Sequence, residues 1–227
     1  VVILLPVFII LFTWRGFIQA LFAKLVGDTT GEEDGFLTLN PVAHIDLAGF
    51  MIILGAFFVI AGFFSAAFPR TMLLIMLVMM GVRWTYPVHI DDTRFTNYRL
   101  GGIVTTLSGA FSNFFLAFVS VGLLKCLLML NLPPYALISL LEIFKTLISI
   151  AIFFGVIDLI PLPPFDGGKL LRYVLPYDKQ HILQTLEEYS LVIMLVLFLA
   201  PGVSNVFFGS LSAIAAVIKH FFFSIFF

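Results

Sequence analysis

From one end to the other the chain keeps returning to apolar runs close to the ~20 residues that an α-helix needs to cross a bilayer. This feature limits the fold more than any motif does, because a backbone in lipid must satisfy its own N–H and C=O groups. Charged residues make up 11% of the sequence, far below the roughly 25% of a soluble domain, and the mean hydropathy is +1.14. No long polar stretch suggests an extramembrane domain. The expected architecture is an all-α, polytopic membrane helical bundle of about six transmembrane segments, one domain over residues 1–227. A net charge of -1 gives no basis for nucleic-acid binding, and one cysteine, Cys126, cannot form an internal disulfide. The partners implied are the lipid bilayer and other integral membrane proteins met through helix faces.

Polar residues divide the runs. Residues 1–24 are interrupted only by Arg15 and Gln19, and they continue past residue 12 without a small-residue cleavage site, so they are read as one retained helix. Residues 25–46 are acidic, with Asp28, Glu32, Glu33 and Asp34. Apolar pieces follow at 47–68 and 71–82, then a basic loop at 83–100 with Arg83, Arg94 and Arg99. A run at 101–130 ends before Pro133-Pro134, and 135–160 leads into a proline-rich segment. The loop 167–190 carries Lys169, Arg172 and Lys179; the last runs, 191–199 and 203–227, are separated by Pro201-Gly202. The three loops at 25–46, 83–100 and 167–190 hold most of the loop Lys and Arg, whereas the opposite side offers mainly Arg70. The positive-inside rule predicts that these loops are cytoplasmic. The acidic and the basic loop are expected to suit different partner surfaces. Glu142 and Lys145, three apart in the 135–160 run, are expected to pair.

Three motifs recur at long spacing: Trp14-Arg15-Gly16-Phe17-Ile18-Gln19-Ala20-Leu21, Gly35-Phe36-Leu37-Thr38-Leu39-Asn40-Pro41-Val42-Ala43-His44-Ile45-Asp46, and Asp158-Leu159-Ile160-Pro161-Leu162-Pro163-Pro164-Phe165-Asp166-Gly167-Gly168. The last resembles the Asn-x-x-Pro-x-Pro-x-x-Asp-Gly motif of the site-2 proteases, zinc enzymes that cut substrates inside the bilayer. The middle one closely matches that family's Gly-x-Leu-Thr-Leu-Asn-Pro-x-x-His-x-Asp segment and fixes the register. In this register the first motif falls on the family's His-Glu-x-x-His. Leu107-Ser108-Gly109-Ala110-Phe111-Ser112-Asn113 resembles its Ala-Gly-Pro-x-x-Asn helix, with Ala110 in place of proline. The resemblance covers nearly the whole chain and implies a site-2 protease core, with a polar cleft between the first helix, the Gly109 helix and the Asp166 segment.

It does not imply the chemistry. Zinc proteolysis needs two neutral imidazoles at i and i+4, a carboxylate ligand and a glutamate to deprotonate water. In this chain Arg15 and Gln19 replace the histidines and Gly16 replaces the glutamate, so only Asp166 remains. Arginine is always cationic and has no lone pair to donate, a glycine cannot act as a base, and one amide with one carboxylate is a poor zinc site. The family position of the motif's asparagine is taken by a second carboxylate, Asp158. The degenerate site is therefore Arg15, Gly16, Gln19 and Asp166, with no metal and no cofactor expected. A salt bridge between Arg15 and Asp166 is expected in the metal's place, because a cation at this depth requires a partner. Gln19, one turn on, could donate to the same carboxylate. A simpler role for Asp166 is to cap the helix that follows it. Gln19, His44, Asn113 and Asp158 are possible cleft-lining residues; His44 suits a loop-holding hydrogen bond, and Asn113 a bond across helices. His89, His181 and His220 lack ligand spacing.

Two functions follow from a bundle whose site has lost these residues. The first is a catalytically inactive homologue acting as a membrane scaffold or accessory subunit of a membrane protein complex. The second is a regulatory protein that binds transmembrane helices in the former substrate cleft. Residual metal-dependent intramembrane proteolysis comes third.

Overall fold

The computed structural model describes residues 3–46, 49, 86–130 and 133–227. The apolar pieces expected at 47–68 and 71–82 lie outside the described residues. Nine helices are described: α1 (Leu4–Leu25), α2 (Thr30–Glu33), α3 (Pro41–His44), α4 (Tyr98–Leu128), α5 (Pro134–Asp158), α6 (Asp166–Val174), α7 (Gln180–Glu188), α8 (Ser190–Leu199) and α9 (Pro201–Phe226). Among the described residues, α1, α4, α5 and α9 are long and apolar enough to cross a membrane. The protein is a membrane helical bundle.

α4 is the centre of the bundle and packs against α1, α5, α6 and α9. Its two faces are inverted relative to a helix in water. Phe111, Phe115 and Leu123 are exposed, while Gly102, Thr105, Ser108, Gly109, Ser112, Asn113 and Ala117 are buried. Lipid is as apolar as leucine, so large apolar side chains gain little by turning inward; small residues instead let neighbouring backbones approach. α1 runs antiparallel to α4: Thr96 N donates to Val26 O (2.9 Å) at one level, and Trp14 Nε1 donates to Ser112 O (2.9 Å) further in. α5 runs parallel to α1, and the rings of Phe8, Phe12 and Phe154 meet with centroids 5.8 to 6.1 Å apart.

Proline sets several of the helix ends. Pro134 and Pro201 open α5 and α9 at the position where a missing N–H costs nothing, and Pro161 follows the end of α5, where the chain cannot continue as a helix. The run at 191–199 forms α8, whose ten residues span about 15 Å and do not cross a bilayer unaided. α8 continues from the polar 177–188 segment through a bend of 53°.

The acidic and the basic loop also contact each other. Arg94 Nη1 lies 2.9 Å from Glu33 Oε1, and His89 Nδ1 lies 2.9 Å from Asp34 Oδ2. Asp28, fully buried, accepts from Thr30 N (2.9 Å) and from Asp91 N (2.9 Å), which ties residues 26–34 to 86–97. The Thr29 hydroxyl and Arg94 hold the Glu33 carboxyl below its usual range, and the Thr93 hydroxyl and N–H do the same for Asp91. Glu142 and Lys145 do not pair: both side chains are exposed, and no ion pair joins them.

Candidate functional site: an arginine-centred cleft

Arg15 is the twelfth residue of α1, about 17 Å along the helix from its start, and therefore well inside the apolar layer. Its guanidinium lies between two carboxylates from distant parts of the chain. Nη1 is 2.8 Å from Asp158 Oδ2, and Nη2 is 2.5 Å from Asp166 Oδ2. Both carboxylates are almost completely buried, with side-chain exposures of 7% and 4%. Each has a further donor: Asn113 Nδ2 is 3.0 Å from Asp158 Oδ2, and Lys169 Nζ is 2.8 Å from Asp166 Oδ1. Two cations and two anions thus form one neutral chain, Lys169–Asp166–Arg15–Asp158–Asn113. Neutrality matters here because an unpaired charge at this depth costs several kcal/mol.

The local backbone explains how the carboxylates reach the arginine. Asp158 is the last residue of α5, and Asp166 opens α6 on the far side of the proline-rich turn. Gly167 and Gly168 let α6 start against that turn, since a Cβ would lie 2.3 Å from Ile160 O at Gly167 and 2.4 Å from Pro163 N at Gly168. Gly109 performs the same service from α4: a Cβ there would lie 2.7 Å from Asp166 Oδ2 and 3.4 Å from Arg15 Nε. The Asp166 carboxylate makes no capping bond to α6; its oxygens are taken by Arg15 and Lys169.

Gln19 and Asp158 line a cleft of about 710 Å³, together with Arg15, Gly16, Asp166, Lys169, the extended 86–90 segment and the proline turn. Gln19 forms no hydrogen bond to Asp166, whose partners are Arg15 and Lys169. His44 and Asn113 stand one layer behind the cleft. Asn113 supports Asp158 from α4, with its own Oδ1 left without a partner. His44 Nε2 lies 2.8 Å from Thr38 O, and its ring packs against Phe36 and against Gly16. A Cβ at Gly16 would lie 2.5 Å from His44 Nδ1, so the imidazole fills the space that any larger residue at position 16 would enter.

Sequence reasoning missed the pairing of Lys169 with Asp166, the pairing of Asp158 with Arg15, and the need for glycine at 109. The first was signalled by i, i+3 spacing on a helix. The other two depend on contacts between segments far apart in the chain.

The zinc that the resemblance implies does not fit these residues. The two carboxylates at the site are both bound by a permanent cation; His89 borders the same cleft, but its Nδ1 lies 2.9 Å from Asp34, and no thiol lines the cleft. Among the described residues no group of three His, Cys, Asp or Glu side chains could hold a metal ion, and residues 1–2, 47–85 and 131–132 contain none of these residue types.

Comparison with known proteins places this cleft in a family. Over 207 residues the chain is 29% identical to the Bacillus subtilis (strain 168) protein "Putative zinc metalloprotease YwhC", covering 90% of this chain and 84% of that protein. A shorter stretch of 54 residues is 41% identical to "Putative zinc metalloprotease Rip2" of Mycobacterium tuberculosis (strain ATCC 25618 / H37Rv), covering 24% of this chain and 21% of that protein. No solved structure matches the chain. The model of peptidase family M50 matches residues 38–201, which include the Asn40–Asp46 segment, the α4–α5 pair and the Asp158–Asp166 turn. With well over half of its length matched, and an inward-facing aspartate after a proline turn, this chain belongs to peptidase family M50, the site-2 proteases.

Proposed function

We propose that this chain is a non-catalytic member of the family that serves as a membrane scaffold or accessory subunit of a membrane protein complex. One observation carries the reading: the Arg15 guanidinium is bonded to Asp158 at 2.8 Å and to Asp166 at 2.5 Å, so a permanent positive charge occupies the carboxylates a divalent cation would need. The filling of the space beside Gly16 by His44 supports it, because a glutamate there would displace a buried ring. The relatives' names point to zinc proteolysis, and the reading separates this chain from them at α1. In the orientation that goes with it, the loops 25–46, 83–100 and 167–190 face the cytoplasm. A second reading, a regulatory protein that holds a transmembrane helix without cutting it, draws on the 710 Å³ cleft that remains open beside Gln19.

Elemental analysis of protein purified in gentle detergent tests the proposal. The expected result is no stoichiometric zinc, together with no chelator-sensitive cleavage of a model transmembrane substrate. About one zinc per chain that disappears in Asp166→Ala, accompanied by such cleavage, would return the protein to the metalloproteases.

A further inference from the structure

A second set of charges lies away from the cleft, within the apolar length of α5 and α9. Glu142, Lys145 and Ser149 occupy i, i+3 and i+7 of α5 and share one face. Lys219 of α9 joins them: its Nζ donates to Ser149 Oγ at 2.9 Å, and that hydroxyl donates in turn to Lys145 O at 2.8 Å. A neutral hydroxyl is thus the hydrogen-bond partner of an ammonium with three N–H groups to satisfy. Lys145 is the twelfth residue of α5, about 17 Å from its start, and Lys219 is about 10 Å from the end of α9, so neither lies at a helix end.

The face carries two cations and one carboxylate. Residues 1–227 offer this face no further carboxylate. Apart from Glu142, its 13 acidic residues lie in the 25–46, 83–100 and 167–190 loops or are the two aspartates held by Arg15, and residues 47–85 contain none. α9 is also the least buried of the four spans, with 6% of its apolar window covered against 44% for α5.

We propose that the α5–α9 face docks a transmembrane helix of another membrane protein that carries an Asp or Glu at the depth of Lys145 and Lys219. Charge complementarity selects this occupant. A second copy of the chain would bring two more lysines to the same interface and double its cation excess, whereas one carboxylate on a partner helix neutralises it in a setting where charges do not stay unpaired. The inference deepens the accessory-subunit reading and rests on it, since it states what the partner must carry.

The test uses the full chain in phosphatidylcholine vesicles with a fluorescent poly-leucine helix bearing one Glu placed at the level of Lys145, and the same helix bearing Gln. Energy transfer between labelled protein and helix should report roughly tenfold tighter association with the Glu helix. The preference should vanish in the double variant Lys145→Met, Lys219→Met and persist in Lys145→Arg, Lys219→Arg, which keeps the charge. Equal binding of Glu and Gln helices by the unaltered protein overturns the proposal and needs no variant to fold. It is also overturned if the preference disappears when phosphatidylglycerol is added, which would assign the lysines to lipid headgroups. Self-association of the chain that excludes the probe overturns it as well, in favour of a second copy. Zinc content and chelator-sensitive cleavage are measured separately, so failure of the non-catalytic reading is distinguishable from failure of this face.

Discussion

Ion pairs in the cleft and ion pairs at the 25–46 and 83–100 loops are built from the same residue types, and they differ in where the charges lie. In the cleft, Arg15 joins two carboxylates with side-chain exposures of 7% and 4%. In the loops, Arg94 and Glu33 are 43% and 57% exposed, and Lys24 and Glu32 are 41% and 42% exposed. The distances are similar, 2.5 to 2.8 Å at Arg15 and 2.6 to 2.9 Å in these loop pairs. Water makes the difference. Around the loop pairs it screens each charge and solvates whichever partner is left over, so a broken pair costs little. The two carboxylates bound to Arg15 are almost closed to water, so removal of one charge strands another. Distance alone does not separate these contacts, whereas burial does.

The largest test of this comparison is Arg15→Leu. It leaves Asp158 and Asp166 buried together with Lys169 as their remaining cation, and should cost about 3–5 kcal/mol, read as a fall in thermal unfolding temperature in detergent or nanodiscs. Adding Asp158→Asn to Arg15→Leu should recover part of that loss, because the Lys169–Asp166 pair then stands balanced by itself. The two substitutions should couple by about 1–3 kcal/mol; strictly additive losses would dissolve the network into independent contacts.

A smaller effect is expected where the network presses on neighbouring backbone. Gly109→Ala places a methyl 2.7 Å from Asp166 Oδ2, and Gly16→Ala places one 2.5 Å from His44 Nδ1. Each should destabilise by about 1–3 kcal/mol through displaced neighbours. Unchanged melting of Gly109→Ala would mean that α4 does not abut the ion pair as closely as the geometry has it.

The smallest effect belongs to the loops. Arg94→Ala should shift the melting temperature barely at all, and what shift there is should disappear in high salt. The pH dependence has a definite sign. Glu33 and Asp91 are held below their ordinary range in the folded protein, so their contribution is present above about pH 4 and is lost as acid protonates them in the native state. A melting profile in which the 26–46 and 86–97 loops lose amide protection only below that range fits the comparison. A loss between pH 5 and 7 would contradict it.

The helical membrane class follows from local features. Apolar runs of spanning length mark α1, α4, α5 and α9; Pro133-Pro134 and Pro161 mark where α5 starts and ends; three motifs in family order give the register. α8 was less legible, because ten apolar residues do not reveal whether they continue the preceding helix or bend away from it. The loops were legible only in part: their opposite charges are plain in the sequence, but not that Arg94 would pair with Glu33 and His89 with Asp34. At the site, the sequence shows Arg15, Gly16 and Gln19 at the positions where the resemblance expects two ligands and a base.

What the sequence determined by itself is whatever depends on neighbours along the chain: hydropathy over a helix length, proline where a helix must begin or end, and a motif whose spacing names a family. What only the tertiary structure decided is how the buried charges are shared. An arginine side chain can reach several carboxylates, and Asp158 and Asp166 stand eight residues apart on opposite sides of a turn. Packing of α1, α4, α5 and α6 brings both within 3 Å of one guanidinium, lets Gly109 yield the room, and gives Lys169 to the second aspartate. The physical reason is that charge balance in a water-poor interior is a property of the whole enclosure, and no stretch of sequence contains the enclosure.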